Sequence, residues 1–227
     1  MSPPRSVPEL PTARQKKKPV DRYHHGDLRN ALIAQAWVII DKRGQSALSM
    51  RAVAQALGVS HGAPAHHFAD KEDLLRELRT QAWAAFADAL ESAGDAPDAL
   101  RQMGRAYVAY ALAHPKRMDL IFRSNTSTGS PELEVQAMRG WAALSNAVVR
   151  HIGPTRAADQ RLVSVLSVAA WAQAHGLAML WTDVNLPPGL PQGQSAQPLH
   201  EAALDVLYAG MTAVLGPASS MPQDPPA

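Results

Sequence analysis

Apolar residues recur along this chain at the three-to-four spacing of helices, and nowhere with the alternation of a strand. Leu28, Leu32, Gln35, Ala36 and Ile39 form the first stripe, in a helix starting near His25–Asp27. Asp27 lies in its first turn and Lys42 and Arg43 in its last, as the helix dipole favours, and Gly44 closes it. Ser49 then reads as the N-cap of a short helix, Met50–Leu57, which stops at Gly58. Ser60 caps another short helix running through His67. Asp70 caps a third, continuing to about Ala93, with Leu74, Leu78, Ala82, Ala85, Phe86 and Ala89 facing inward.

Beyond Gly94 the helical period continues. "ALRQMGRAYVAYALAH" must stop or restart at Pro115. "PKRMDLIFRS" is a short helix before the turn "NTSTGS", and Pro131 to Ile152 is one helix closed by Gly153–Pro154. Arg156 to about Asp183 gives the longest pattern, roughly 28 residues or about 40 Å. "VNLPPGLPQGQSAQP" reads as a long loop, and a last helix spans Leu199–Leu215. The expectation is an all-α fold of nine helices. Residues 1–20 and 217–227, rich in proline, are expected to be disordered tails.

Composition narrows the setting. Few aromatics and many alanines and leucines suit helices. With no cysteine, disulfides and thiolate metal sites are excluded. No run of about 18 apolar residues stands out, and the N-terminus lacks the apolar core of a signal peptide. A soluble, cytoplasmic protein with no membrane partner is the expectation. The net charge of +2 conceals an asymmetry. Residues 1–80 hold thirteen Lys and Arg against eight Asp and Glu, and the remainder nine against twelve. A basic first third on a slightly acidic body points to a polyanion partner for that third.

"GVSHGAPAHHFADKEDLL" holds three of the nine histidines: His61, His66 and His67. On an α-helix His61 and His66 would lie about 140° apart and His66 and His67 about 100°. There is no i,i+4 histidine pair and no His-Glu-x-x-His, so no metal is expected. No nucleophile or carboxylate constellation accompanies them, so no catalytic residue and no cofactor are expected either. Two short helices joined at Gly58–Val59 have instead the layout of a helix-turn-helix. Ala54 is small at the crossing, Gly58 suits the turn, and Val53, Leu57 and Val59 supply the buried wedge.

The flanks "YHHGDLRNALIAQAWVIIDKRG" and "LSMRAVAQALGVSHGAPAHHFADKEDLL" resemble the first four helices of the TetR/AcrR family of transcriptional regulators. "AWAQAHGLAML" contains Trp171, His175 and Gly176, the Trp-x-x-x-His-Gly pattern of the ligand-binding domain named WHG. The resemblance implies a homodimeric, all-helical repressor with a DNA-binding head, residues 21–75, and a ligand-binding and dimerisation body, residues 76–216. It places the recognition helix at Ser60–His67, with His61 and Gly62 at the base-reading end. Ser49, with Arg51 beside it, and Lys71 match positions facing phosphate. Ala65 departs from the family, which usually has a tyrosine there; His66 is placed to replace part of its contact. His67, beside Phe68, reads equally as a packing or capping residue. The arm containing Lys16, Lys17 and Lys18 suits the DNA backbone or minor groove. Binding should weaken steeply with salt and tighten as histidine protonates.

Trp171 and His175, four apart, share a helix face, from which His175 could orient a polar group of a ligand. Trp83, Phe86, Tyr107, Tyr110, Met118, Phe122, Met138, Trp141 and Met179 complete the candidate pocket. Few charges fall on these faces, which favours an apolar or aromatic effector. Leu162, Val165, Leu166, Ala169 and Ala172 on one helix, and Leu204, Leu207, Met211 and Leu215 on the last, supply apolar faces to a pair of helices that by resemblance meet their copies in a homodimer. The partners expected are therefore a double-stranded, pseudo-palindromic operator, a small-molecule effector and a second copy. An architectural DNA binder without an effector is the main alternative, separable by its indifference to DNA sequence. A helical enzyme or carrier with a vestigial head is a third, marked by turnover without DNA binding.

Overall fold

The computed structural model describes residues 25–96, 98–122, 130–182 and 197–215. They form α1 (His25–Arg43), α2 (Met50–Leu57), α3 (Lys71–Ala93), α4 (Ala99–Ala113), α5 (Pro115–Phe122), α6 (Pro131–Ile152), α7 (Pro154–Ala157), α8 (Gln160–Thr182) and α9 (Gln197–Leu215). Short 3-10 turns occur at Gln45–Ala47 and Ala63–His66, and no strand is present among the described residues. The basic arm with Lys16, Lys17 and Lys18, most of the "VNLPPGLPQGQSAQP" stretch and the C-terminal tail lie outside the described residues.

Among the described residues the α-helices again number nine, with one exchange. The recognition element is a 3-10 turn, and the one-turn α7 is added. Pro64 explains the first difference: it has no N–H to donate, and its ring resists an α-helical interior. The turn uses Ala63 N to Ser60 O and Ala65 N to Gly62 O, at 3.0 and 3.1 Å. Asp159 explains the second. Its carboxylate accepts from Arg161 N at 2.9 Å and Leu162 N at 3.1 Å, so it caps α8 and shortens the long helix expected from Arg156.

Among the described residues, two large apolar clusters and a small third one of Val108, Leu177 and Leu204 organise the fold. Leu32, Ala36, Ile40, Val53, Phe68 and Leu78 belong to the first, between α1, α2 and the start of α3. Phe86, Met103, Tyr107, Met118, Val148 and Ala174 belong to the second, built from α3 to α9. The helix α3 serves both, with Leu74, Leu75 and Leu78 in the first and Ala82, Phe86 and Leu90 in the second. At 23 residues it is roughly 35 Å long, so it links the two parts as one rigid rod. Trp37 of α1 also packs against both clusters.

By length and composition alone α8 could cross a membrane, which the sequence reading passed over. Its inner face (Val163, Leu166, Ser167, Ala170, Ala174, Ala178) is buried and packs against α4 and α6, as a core helix does. The outer face carries exposed Val165, Val168, Ala169, Ala172 and Leu180, and α9 presents exposed Leu199, Ala202, Val206, Ala209 and Ala213. The faces named from sequence are therefore partly exchanged. Leu166, Leu204 and Met211 point into the protein's own core, and a different α9 stripe is the one left open.

Candidate DNA-reading head and effector cavity

Local chemistry builds the head. The Ser49 backbone is extended, at φ −148° and ψ 152°, and its Oγ accepts from Ala52 N at 3.1 Å. At the other end of α2, Gly58 adopts φ 68° and ψ 23°, a conformation that disfavours residues with a Cβ. Its N–H reaches Gln55 O at 3.2 Å while Val59 N reaches Ala54 O at 3.1 Å. This is a Schellman closure, and it turns the chain into the recognition segment. Asp70 then caps α3 through Asp73 N at 2.8 Å, and the Asp73 carboxylate accepts in turn from Ala69 N at 3.0 Å. The two carboxylates brace the helix start reciprocally, as in a capping box, except that the returning bond comes from the residue before the cap.

Within the recognition turn, Pro64 and Phe68 are buried and act as anchors. Ser60, His61, Gly62, Ala65 and His66 are exposed, whereas His67 is half-buried. His67 Nε2 has no hydrogen-bond partner, and its backbone N–H closes the turn on Pro64 O. Of the three histidines, His61 and His66 thus face outward and His67 leans into the fold. Arg51 on α2 is exposed and Lys71, at the start of α3, is half-buried. No cluster of three metal-ligating side chains occurs among the described residues.

Below the head, residues of α3, α4, α5, α6, α8 and α9 line a partly open apolar cavity of about 160 Å³. Trp83, Phe86, Tyr107, Phe122, Trp141 and Trp171, six of the eleven candidates, line it. Their rings pack edge to face: Trp83 on Phe122 at 5.3 Å, Phe86 on Tyr107 at 4.9 Å, and Trp141 on Trp171 at 6.3 Å. Five other candidates lie elsewhere. Met118 is wholly buried in the core, Met179 packs on its edge, and Met138 points outward, 60% exposed. Tyr110 stacks behind Phe86 at 5.3 Å. His175 stands behind Tyr107, its Nδ1 2.7 Å from the tyrosine hydroxyl. Sequence periodicity could place each residue on a helix, but not decide which face met the void.

The sequence reading missed the small residues that shape the cavity: Gly104, Ala137, Gly140, Ala170 and Ala174, together with Leu204, Leu207 and Tyr208. A glycine inside a helix is the signal that could have exposed two of them, since it costs about 1 kcal/mol relative to alanine. Burial pushes the Tyr107 hydroxyl well above the ordinary tyrosine range, against a smaller opposing effect of Trp171 beside it. Tyr107 is therefore an uncharged phenol, donating to His175 Nδ1 or accepting from it according to the imidazole tautomer.

A continuous set of contacts runs from this wall to the head. Tyr110, behind Phe86, neighbours Arg117 of α5. Arg117 reaches Asp41 of α1 at 2.9 and 3.2 Å and lies 4.5 Å from the centre of the Trp37 ring. Trp37 donates to Gln81 at 3.0 Å, Gln81 to Glu77 at 2.7 Å, and Arg29 to Glu77 at 2.7 Å. Arg29 in turn covers the Phe68 ring at 5.2 Å, at the end of the recognition turn.

Residues 32–78 match the family model described as "Bacterial regulatory proteins, tetR family", and residues 100–217 match "Tetracyclin repressor-like, C-terminal domain". The chain belongs to the TetR family. It is a transcriptional regulator with a helix-turn-helix DNA-binding domain. Among curated proteins, an uncharacterized HTH-type transcriptional regulator of Mycobacterium tuberculosis, Rv0681, is 28% identical over 155 residues, covering 67% of this chain and 69% of that protein. A structure of a protein with unknown function from Rhodococcus sp. RHA1 superposes with a TM-score of 0.70 at 28% identity, over 84% of this chain and 98% of that one. The TetR family regulator PfmR of Thermus thermophilus shares the fold, with a TM-score of 0.57 at 22% identity, over 80% of this chain and 98% of that one.

Proposed function

We propose that this TetR-family regulator is a cytoplasmic repressor released from a palindromic operator by a small apolar or aromatic effector. The observation that carries the reading is the cavity of about 160 Å³, walled in part by the same helix that carries the head. Effector binding there favours one setting of α3, and with it one spacing of the two heads in a dimer. A coupling of about 1–3 kcal/mol would change operator affinity about 5–150-fold.

The division of labour follows the two clusters, with residues 21–75 as the DNA-binding unit and 76–216 as the effector and dimer unit. His61, Gly62 and His66 meet base edges, while Ser49, Arg51, Ser60 and Lys71 hold phosphates. His67 supports the turn from within, and Lys16, Lys17 and Lys18 follow the DNA backbone. Dimerisation uses α8 and α9, supported by their open apolar stripes. Two recognition turns then lie about one DNA turn apart, or a multiple, which requires a two-fold symmetric site.

Selection of bound sequences from a random DNA pool, followed by release with a panel of neutral aromatic compounds, tests the reading. A palindromic consensus and release by at least one compound are expected. Equal affinity for all sequences would favour an architectural DNA binder instead.

A further inference from the structure

We propose that Gly140 sets the size of ligand the cavity admits, and that this ligand is a neutral molecule of about one aromatic ring. The inference rests on the reading of the cavity as the effector site. Gly140 lies in the middle of α6 and is buried. Its backbone is not in the positive-φ region that demands glycine, which among the described residues is confined to Gly44, Gly58 and Gly153. Nor does crowding demand it. A Cβ placed there has a single neighbour within 4 Å, the Leu90 Cδ1 at an ordinary 3.8 Å. A buried position with one ordinary contact in front of it has room for a methyl group, and Gly140 borders the cavity.

Gly104, also on the cavity wall, makes the contrast. A Cβ there would come within 2.8 Å of Leu204 Cδ2, so the close packing of α4 and α9 accounts for that glycine. Nothing comparable accounts for Gly140 except the space it leaves. An alanine or valine at 140 would project into the void and take up room a ligand would use.

The size and lining of the void define what fits. About 160 Å³ is close to an apolar cavity of roughly 150 Å³ that accepts benzene, and below the range of roughly 300 Å³ upward used by drug-sized ligands. Among the described residues no charged side chain lines it, so a charged ligand would lose its hydration without a counter-charge there. The polar side-chain atoms on its walls belong to tyrosines and tryptophans, so a single hydroxyl or carbonyl on the ring could be satisfied there.

The test is thermal unfolding of the full chain with and without saturating benzene, for the native protein, Gly140→Ala and Gly140→Val, with calorimetric titration of benzene alongside. Without benzene, Gly140→Ala should melt about 2–4 °C higher, because helix propensity and filling of the void act together. Benzene should raise the melting temperature of the native protein, less that of Gly140→Ala, and leave Gly140→Val unchanged. Its affinity should fall about tenfold in the alanine variant. A Gly140→Val protein that keeps the full benzene-induced rise overturns the gate while leaving the cavity as effector site. A native protein that shows no rise removes the effector-site reading and the gate together. A Gly140→Ala protein that melts several degrees lower overturns the claim that packing leaves position 140 free.

Discussion

The head and the body of this protein solve opposite problems. The head presents polar groups outward on a turn pinned by Pro64 and Phe68, whereas the body turns aromatic rings inward around a void. Head geometry comes from hydrogen bonds that close within a few residues, as at Ser49, Gly58 and Asp70. Body geometry comes from six helices meeting, with no local signal fixing how they do so. A surface presented outward is thus fixed locally, while incomplete packing inside is held open only by the whole fold.

The strongest way to break this comparison is in the body wall. Phe86 is 2% exposed and contacts Trp83, Tyr107, Tyr110 and Phe122. Phe86→Ala should cost about 3–5 kcal/mol of stability. Chemical denaturation would measure it, and a cost below about 1 kcal/mol would mean the wall does not bear on the fold. In the head the expected losses are smaller and concern recognition. His61→Ala should remove about 1–3 kcal/mol of discrimination at one operator position while leaving the melting temperature unchanged. Competition binding against single-base variants would show this, and a uniform loss across all variants would reassign His61 to backbone contact.

The contacts joining the two regions sharpen the comparison further. The hydrogen bonds to Asp41 raise the Arg117 guanidinium pKa still further, and the pair ties α5 to α1. Being partly exposed, it should add less than about 1 kcal/mol to stability. Arg117→Gln should instead reduce effector-induced release of operator by about 0.5–2 kcal/mol of coupling. Operator binding measured with and without effector in both proteins would decide, and an unaltered release ratio would remove Arg117 from the link.

The smallest effect lies in α9. His200 is 5% exposed, packs its ring 4.0 Å from Trp181, and leaves Nε2 without a partner. Burial lowers its pKa, with Glu201 opposing weakly. The neutral form is therefore favoured in the folded state, and below about pH 6.5 the unfolded chain takes up the proton first. Stability should be full above that value and fall as pH drops from it toward the lower folded-state pKa. His200→Gln should flatten that part of the pH–stability curve, as urea titrations between about pH 7.5 and 5 would show.

What the sequence made legible follows the same division. The caps and Gly58 were readable because each acts through residues two to five positions away. The α-helix expected over Ser60–His67 failed on Pro64, whose effect on the hydrogen-bond ladder was already visible in the chain. The aromatic wall was largely readable because Trp83, Phe86 and Trp171 recur at helical spacing. His175 and Met118 were misplaced because facing inward and facing the void are the same pattern on one helix. Gly140 and Gly104 escaped notice because a cavity is defined as much by missing side chains as by those present.

The central claim is that the cavity and the recognition turn are thermodynamically linked through the frame they share. Operator affinity titrated by fluorescence anisotropy across increasing concentrations of a cavity-binding aromatic tests it most directly. A linked protein should lose operator affinity about 5–150-fold at saturation, and operator should weaken the aromatic by the same factor. An aromatic that saturates the cavity while operator affinity stays constant would contradict the account.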